Sequence, residues 1–161
     1  MNAFPRRTLV ALTLSFALLA TSTLAASKRP VVLFICDFGT AKSAIARELF
    51  RRRAQERGID VTAFSRGLQI EDHISPLLKA RLDAEGIDTR RDGFAVLTTP
   101  DVRRADILVS FATLPKAYQT HKLHDWTVLP SVNDAWPAAR ADLDRRIEAL
   151  LDAVVARRGR R

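Results

Sequence analysis

The sequence predicts an α/β protein, a three-layer α/β/α arrangement around a central parallel sheet of about four strands. Short, wholly apolar runs rich in β-branched residues alternate along the chain with longer stretches of helical periodicity. This alternation is typical of a parallel sheet that helices cover on both faces. The chain has 161 residues, 47% of them apolar, which is enough to form one domain with a sizeable core.

The local patterns then predict each element in turn. An apolar run at 31–35 predicts the first strand, and helical periodicity follows at 42–57 until Gly58 ends it. Ser75 and Pro76 begin a second helix with Leu77, Leu78 and Leu82 on its apolar face, and a glycine at 86 ends it. The remaining predicted elements are a strand at 61–64, a segment at 94–97 compatible with strand or loop, a helical turn at 99–101, a strand at 107–111, a helix at 114–121, a strand at 127–129 and a helix at 137–157.

The N-terminal segment has the order of a secretory signal peptide. Arg6 and Arg7 form a charged region, residues 9–20 are apolar, and small residues at 23–26 offer a cleavage site. We therefore expect residues 1–25 to be removed and the protein to be periplasmic or secreted, with no membrane span after cleavage. Residues 30–156 form the predicted domain, and 157–161 form a basic tail.

The only cysteine of the chain ends the first predicted strand. Cys36 is followed by a loop of mostly small residues, and a helix opens at Lys42 and Ser43. Backbone N–H groups of such a loop converge on an oxyanion, and the helix N-terminus adds positive potential. The same field favours the thiolate, which is the reactive form of cysteine. The alternative interpretation of Cys36 is a buried structural thiol.

These residues carry a resemblance to a known family. Cys36, five residues, a basic residue and then Ser43 resemble the C-x5-R-S motif of the low-molecular-weight protein tyrosine phosphatases, which the thioredoxin-coupled arsenate reductases share. Segments 64–67, 82–88 and 104–109 and Trp126 resemble further family motifs in the same order. The resemblance covers residues 30–156 and implies a phosphotyrosine protein phosphatase I-like fold.

The resemblance also implies roles for individual residues. Cys36 is the nucleophile, Lys42 binds the phosphoryl group, and Ser43 stabilises the thiolate by a hydrogen bond. The substrate-binding loop consists of Asp37, Phe38, Gly39, Thr40, Ala41 and Ser43. Three loop positions depart from the family: Lys42 replaces arginine, Asp37 places a carboxylate next to the cysteine, and Gly39 replaces asparagine.

The family draws its general acid from an Asp-Pro pair in the loop after the tryptophan, and this chain has no such pair there. Asp134 is the predicted acid, with a turn or helix-cap role as the alternative, and Asp125 is a poorer candidate. Trp136 is either a wall of the site or a packing residue. His121 and His124 are expected to be a solvated surface pair, so we predict neither a metal nor a cofactor.

Three functions remain open at this stage. The first is cysteine-dependent hydrolysis of phosphate monoesters, the second a non-catalytic module that binds oxyanions or a partner, and the third arsenate reduction. Because Cys36 has no second cysteine to form a disulfide with, arsenate reduction requires an external thiol. The formal net charge of +8 suits a phosphate-bearing or other oxyanion substrate, and we expect no nucleic-acid partner.

Overall fold

The computed structural model describes residues 29–158. The sheet consists of β1 (Val31–Cys36), β2 (Thr62–Gly67), β3 (Ile107–Ser110) and β4 (Leu123–Asp125), and the helices are α1 (Lys42–Glu56), α2 (Pro76–Ala84), α3 (Thr99–Arg104) and α4 (Trp136–Arg158). All strands are parallel, in the order β2-β1-β3-β4. The predicted signal peptide and the end of the basic tail lie outside the described residues.

Alternate side chains of β1 divide the core into two layers. Val32 and Phe34 face a cluster formed mainly by α1, α2 and α4. Leu33 and Ile35 face a smaller cluster that includes Leu97 and Val102 of α3. Both faces of the sheet are therefore covered, which confirms the predicted three-layer α/β/α architecture. Among residues 29–158, no helix has the length and apolar character needed to span a membrane.

The predictions were wrong in three places. The last strand is β4, not 127–129: Leu123 packs against the smaller core, whereas Val128 is 83% exposed. The predicted helix at 114–121 is only a short 3-10 helix, Lys116–Tyr118, because Pro115 disfavours helical geometry at the residue before it. Leu77, expected on the apolar face of α2, is exposed.

A buried arginine fixes α1 against the sheet. Arg47 is fully buried, and its guanidinium donates hydrogen bonds to Glu48, to the hydroxyl of Ser65 in β2 and to the backbone oxygen of Thr89, each at 3.0 Å. A buried charge is tolerated only when its donors are satisfied in this way. The start of α1, where the cysteine loop joins it, is thereby held close to β2.

A second ion pair ties α3 to the end of β2. Arg66 donates to both carboxylate oxygens of Asp101, at 3.0 and 3.2 Å, and the hydroxyl of Thr98 donates to the same carboxylate at 2.7 Å. Burial by itself would raise the pKa of Asp101, but the hydrogen bonds from Thr98 and Arg66 outweigh it and the pKa is lowered. The carboxylate is therefore stabilised in the folded protein.

We expect Asp101→Asn to destabilise the protein by about 2 kcal/mol at neutral pH, since it leaves a partly buried guanidinium without its counter-charge. Because the folded-state pKa of Asp101 is lowered, its contribution is complete above the unfolded value of about 3.9 and is lost as the pH falls through the folded value. Urea unfolding at neutral pH and at successively lower pH values measures both effects.

The matched control is Asp83→Asn, which breaks an exposed pair with Lys79 on α2. Exposed pairs contribute little, so this variant should unfold close to wild type. An equal decrease in the free energy of unfolding for the two variants would contradict the role given to the Arg66–Asp101 pair. So would a decrease for Asp101→Asn that persists in acid.

Candidate active site

The loop that follows β1 lies against the end of β2. The pairing of the two strands continues to Cys36 and Gly67, and beyond it Leu68 N–H donates to the Cys36 oxygen at 3.0 Å and Gln69 N–H to the Asp37 oxygen at 2.9 Å. A Cβ added to Gly67 would lie 2.2 Å from the Gln69 oxygen and 2.7 Å from the Gly39 nitrogen. Only glycine at position 67 therefore allows this close approach.

Gly39 takes a positive φ of 71° at the point of contact, a conformation that glycine adopts without strain. The substitution of glycine for the family's asparagine therefore suits the backbone here. With this geometry the Gly39 N–H points at the cysteine and donates to its sulfur at 3.2 Å.

The Cys36 sulfur receives a second contact from the start of α1. The hydroxyl oxygen of Ser43, a fully buried residue, lies 3.0 Å from Sγ. A thiolate accepts hydrogen bonds from both the hydroxyl and the Gly39 N–H, and hydrogen bonds to the charged form favour it. The N-cap residue of α1, Ala41, provides no side-chain hydrogen bond, so the first amides of the helix are open to an anion.

A cavity of about 360 Å³ opens over this loop. Two further segments of the described chain meet the loop there. Its walls are formed by Cys36, Asp37, Phe38, Ala41, Lys42, His73, Leu129, Ser131, Val132 and Asn133. A larger cavity of about 480 Å³ lies beside α2, but it contains no cysteine, so chemistry rather than size identifies the first cavity as the candidate site.

The predicted loop residues divide into two groups. Asp37, Phe38, Ala41 and Lys42 line the cavity together with Cys36. Thr40 is 1% exposed and donates its hydroxyl to the Glu71 oxygen at 2.6 Å, so its side chain anchors the loop. Gly39 and Ser43 likewise contribute by holding the sulfur rather than by forming the wall.

The cavity carries two opposite charges. The exposed carboxylate of Asp37 directly follows the nucleophile and opposes the approach of an anion. Lys42 is half-buried, and within residues 29–158 no hydrogen bond or ion pair occupies its ammonium group. Lys42 is therefore available to bind an anionic ligand as a point charge.

Comparisons with known proteins agree with this geometry. Residues 31–122, more than half of the chain, match the family model described as low molecular weight phosphotyrosine protein phosphatase. The chain belongs to this family. A search by sequence among curated proteins gave no significant match.

Solved structures of the phosphatase family and of an arsenate reductase have the same fold. The chain is similar to YfkJ from Bacillus subtilis, with 17% identity, a TM-score of 0.67, and 82% of this chain and 98% of that chain covered. It is similar to a low molecular weight protein tyrosine phosphatase from the same organism, with 17% identity, a TM-score of 0.62, and coverage of 80% and 99%. A thioredoxin-dependent arsenate reductase from Corynebacterium glutamicum has 25% identity, a TM-score of 0.59, and coverage of 81% and 64%.

Asp134, the predicted general acid, is not among the residues that line the cavity. Its exposed carboxylate accepts a 2.6 Å hydrogen bond from the Ser131 hydroxyl, and its N–H donates to that hydroxyl at 3.2 Å. These contacts match the alternative role of a turn residue. In Asp125, the backbone N–H of Thr127 lowers the pKa of the carboxyl group, which favours the ionised form and makes it a poor proton donor.

The structure adds a histidine that the sequence analysis missed. His73 lies on the cavity wall, and its ring centroid is 3.9 Å from that of Phe38. Asn133 connects the two sides of the wall, since its amide donates to the His73 oxygen at 3.1 Å and accepts from Ser75 N–H at 3.2 Å. His73 lies in the connection that leaves the carboxyl end of β2, and this position was the available sequence signal.

The remaining candidates have structural roles. Trp136 is 5% exposed and donates its indole N–H to Glu85 at 2.7 Å, so it packs α4 against the end of α2 and does not line the cavity. Burial, followed by the charge of Arg157, lowers the pKa of His124. In the described part of the chain no group of three or more histidine, cysteine, aspartate or glutamate residues is arranged to hold a metal ion.

We expect Gly67→Ala to abolish oxyanion binding, because the added methyl group pushes the loop at Gly39 away from the end of β2 and displaces the Gly39 N–H from the sulfur. The variant should also lose about 1–3 kcal/mol of stability through overpacking. The increase in melting temperature with added orthovanadate or phosphate measures binding, and urea unfolding measures stability.

Gly93→Ala is the control for a glycine substitution without a collision. Gly93 has a positive φ of 67°, and a Cβ there meets nothing within 4 Å. The free energy of unfolding of this variant should decrease by about 1 kcal/mol, and its melting temperature should still rise with vanadate or phosphate. If Gly67→Ala binds vanadate as well as Gly93→Ala does, the loop geometry described here is not what binds the anion.

Proposed function

We propose that this protein hydrolyses phosphate monoesters, in the manner of a protein tyrosine phosphatase, through a thiophosphate intermediate on Cys36. One observation carries the proposal: the cysteine sulfur accepts a hydrogen bond from Gly39 N–H and lies 3.0 Å from the Ser43 hydroxyl, at the wall of a cavity whose Lys42 has no partner among residues 29–158. An activated thiolate next to an anion-binding loop is the arrangement required for nucleophilic attack on phosphorus.

In the proposed reaction, the Cys36 thiolate attacks phosphorus and the bond to the leaving oxygen breaks. The amides at the start of α1 and the ammonium of Lys42 hold the non-bridging oxygens as charge develops on them. A proton donor must protonate the leaving oxygen, and Asp134 is the residue that the sequence predicts for this role. Water then attacks the thiophosphate, which releases phosphate and regenerates the thiolate.

Export is part of this proposal. It rests on the charged and apolar order of residues 1–25 and places the site in contact with extracytoplasmic phosphoesters. A lone thiol in an oxidising compartment is protected here by burial, since Cys36 is 4% exposed.

Two observations favour a non-catalytic oxyanion-binding module as the second candidate. The Asp37 carboxylate repels an anionic substrate, and Lys42 offers a single point of charge where arginine offers a planar fork.

Arsenate reduction is the third candidate. Because Cys36 is the only cysteine in the sequence, the reducing equivalents would have to come from an external thiol.

We expect Lys42→Arg to raise kcat toward a small aryl phosphate by about tenfold. A guanidinium grips two non-bridging oxygens at once, and this contact is strongest in the transition state. Initial rates over a range of substrate concentrations separate kcat from KM.

Cys36→Ser is the control, and it should abolish turnover while vanadate or phosphate still raises the melting temperature. A protein that binds vanadate but shows no turnover, even when Lys42→Arg is combined with Asp37→Ala, would exclude the hydrolase in favour of the binding module. Thiol-dependent consumption of arsenate without phosphatase activity would favour the third candidate.

A further inference from the structure

We propose, on the basis of the hydrolase function above, that His73 is the catalytic proton donor to the leaving oxygen, in place of an aspartate. The imidazole lies on the wall of the same cavity as the Cys36 nucleophile and the Lys42 ammonium. Asp134, in contrast, lies off the wall with its carboxylate hydrogen-bonded to Ser131.

Contacts on both sides fix the position of His73. Its ring packs at a tilt of 42° against Phe38 of the cysteine loop. Its backbone nitrogen lies 3.5 Å from the Thr40 hydroxyl, and its backbone oxygen accepts a hydrogen bond from Asn133. Thr40 and Phe38 belong to the loop that positions the sulfur. The imidazole and the nucleophile are therefore held by the same segment of backbone.

One ring nitrogen is oriented by a carboxylate. Nε2 of His73 lies 3.0 Å from Oε2 of Glu71, and this contact fixes the orientation of the ring. Nδ1 has no hydrogen-bond partner among residues 29–158. Because Glu71 occupies Nε2, the N–H at Nδ1 of the protonated ring is free to donate to a leaving oxygen.

Most of the charged groups around His73 are acidic. Glu71 contacts the ring, Asp72 is the next residue before it and is paired with Arg90, and Asp37 faces the cavity from the loop. Lys42 opposes them from the start of α1, but a bound phosphoryl group compensates its charge. The wall segment 129–133 carries no charged side chain.

Protons and electrons balance in both half-reactions. In the first, the Cys36 thiolate forms the S–P bond, the P–O bond breaks, and the leaving oxygen takes the proton of the His73 imidazolium. In the second, the neutral imidazole accepts a proton from the attacking water as the new P–O bond forms and the S–P bond breaks. Phosphate leaves, and the thiolate and imidazolium are restored.

The test compares two substrates that differ in their need for an acid. Phenyl phosphate has a poor leaving group that must be protonated, whereas 2,4-dinitrophenyl phosphate has a leaving group that departs as the anion. His73→Gln should lower kcat/KM about 100-fold or more for phenyl phosphate and far less for dinitrophenyl phosphate. The alkaline limb of the pH profile with phenyl phosphate should disappear in this variant.

Three variants complete the comparison. His121→Gln, at an exposed histidine that does not line the cavity, should leave the rates with both substrates unchanged. Activity of His73→Gln toward dinitrophenyl phosphate shows that the site of this variant is folded. If Asp134→Asn or Asp37→Asn shows the leaving-group-dependent loss and His73→Gln does not, the proposal is wrong. If wild type hydrolyses neither substrate, the hydrolase function itself fails and His73 has no such role.

Discussion

The close approach of Gly39 to Gly67 determines the chemistry of this site. It turns the loop after β1 back over the end of β2, so that the Gly39 N–H reaches the cysteine sulfur from one side and Ser43 reaches it from the other. The register of β1 with β2 and the buried Arg47 hold the two sides of this contact in place. The sulfur is thus contacted by two neutral groups whose positions the core imposes.

Hydrogen bonds from neutral groups matter at this site because its two charged side chains, Asp37 and Lys42, act in opposite directions on an anionic substrate. Asp37 repels an incoming phosphoryl anion, while Lys42 attracts it from the half-buried start of α1. In the proposed reaction, one ammonium in place of a guanidinium leaves more of the transition-state charge to the backbone amides. The site therefore depends on loop geometry more than a site with arginine does.

The sequence predicted the elements whose patterns are local and strong. β1, α1 and α4 were found nearly to the residue, because apolar runs and helical spacing reflect burial directly. The final strand was misplaced because β4 is only three residues long and half-exposed, and its pairing with β3 is a tertiary property. The partners of Trp136 and Arg47 could not be predicted, because Glu85, Ser65 and Thr89 are distant in sequence and meet them only when α4 and α1 pack.

Of the candidate site, too, only the part that is local in sequence could be predicted. The Cys36 loop is continuous in sequence, so motif spacing located it. His73 and Asn133 join it only because the carboxyl ends of parallel strands meet at one edge of the sheet, and no motif in their own part of the chain indicates a role. Asp134 is adjacent in sequence to wall residues 131–133, but the turn directs its carboxylate to Ser131.

Formation of a thiophosphate on Cys36 is the most direct test of this account. Wild type mixed with an aryl phosphate and quenched in acid within milliseconds should give a Cys36 peptide whose mass is increased by one phosphoryl group, and one equivalent of phenol should be released in the same interval. The adduct should be absent from Cys36→Ser. Phenol release without a phosphorylated Cys36 peptide, or release that persists in Cys36→Ser, would show that the cysteine is not the nucleophile.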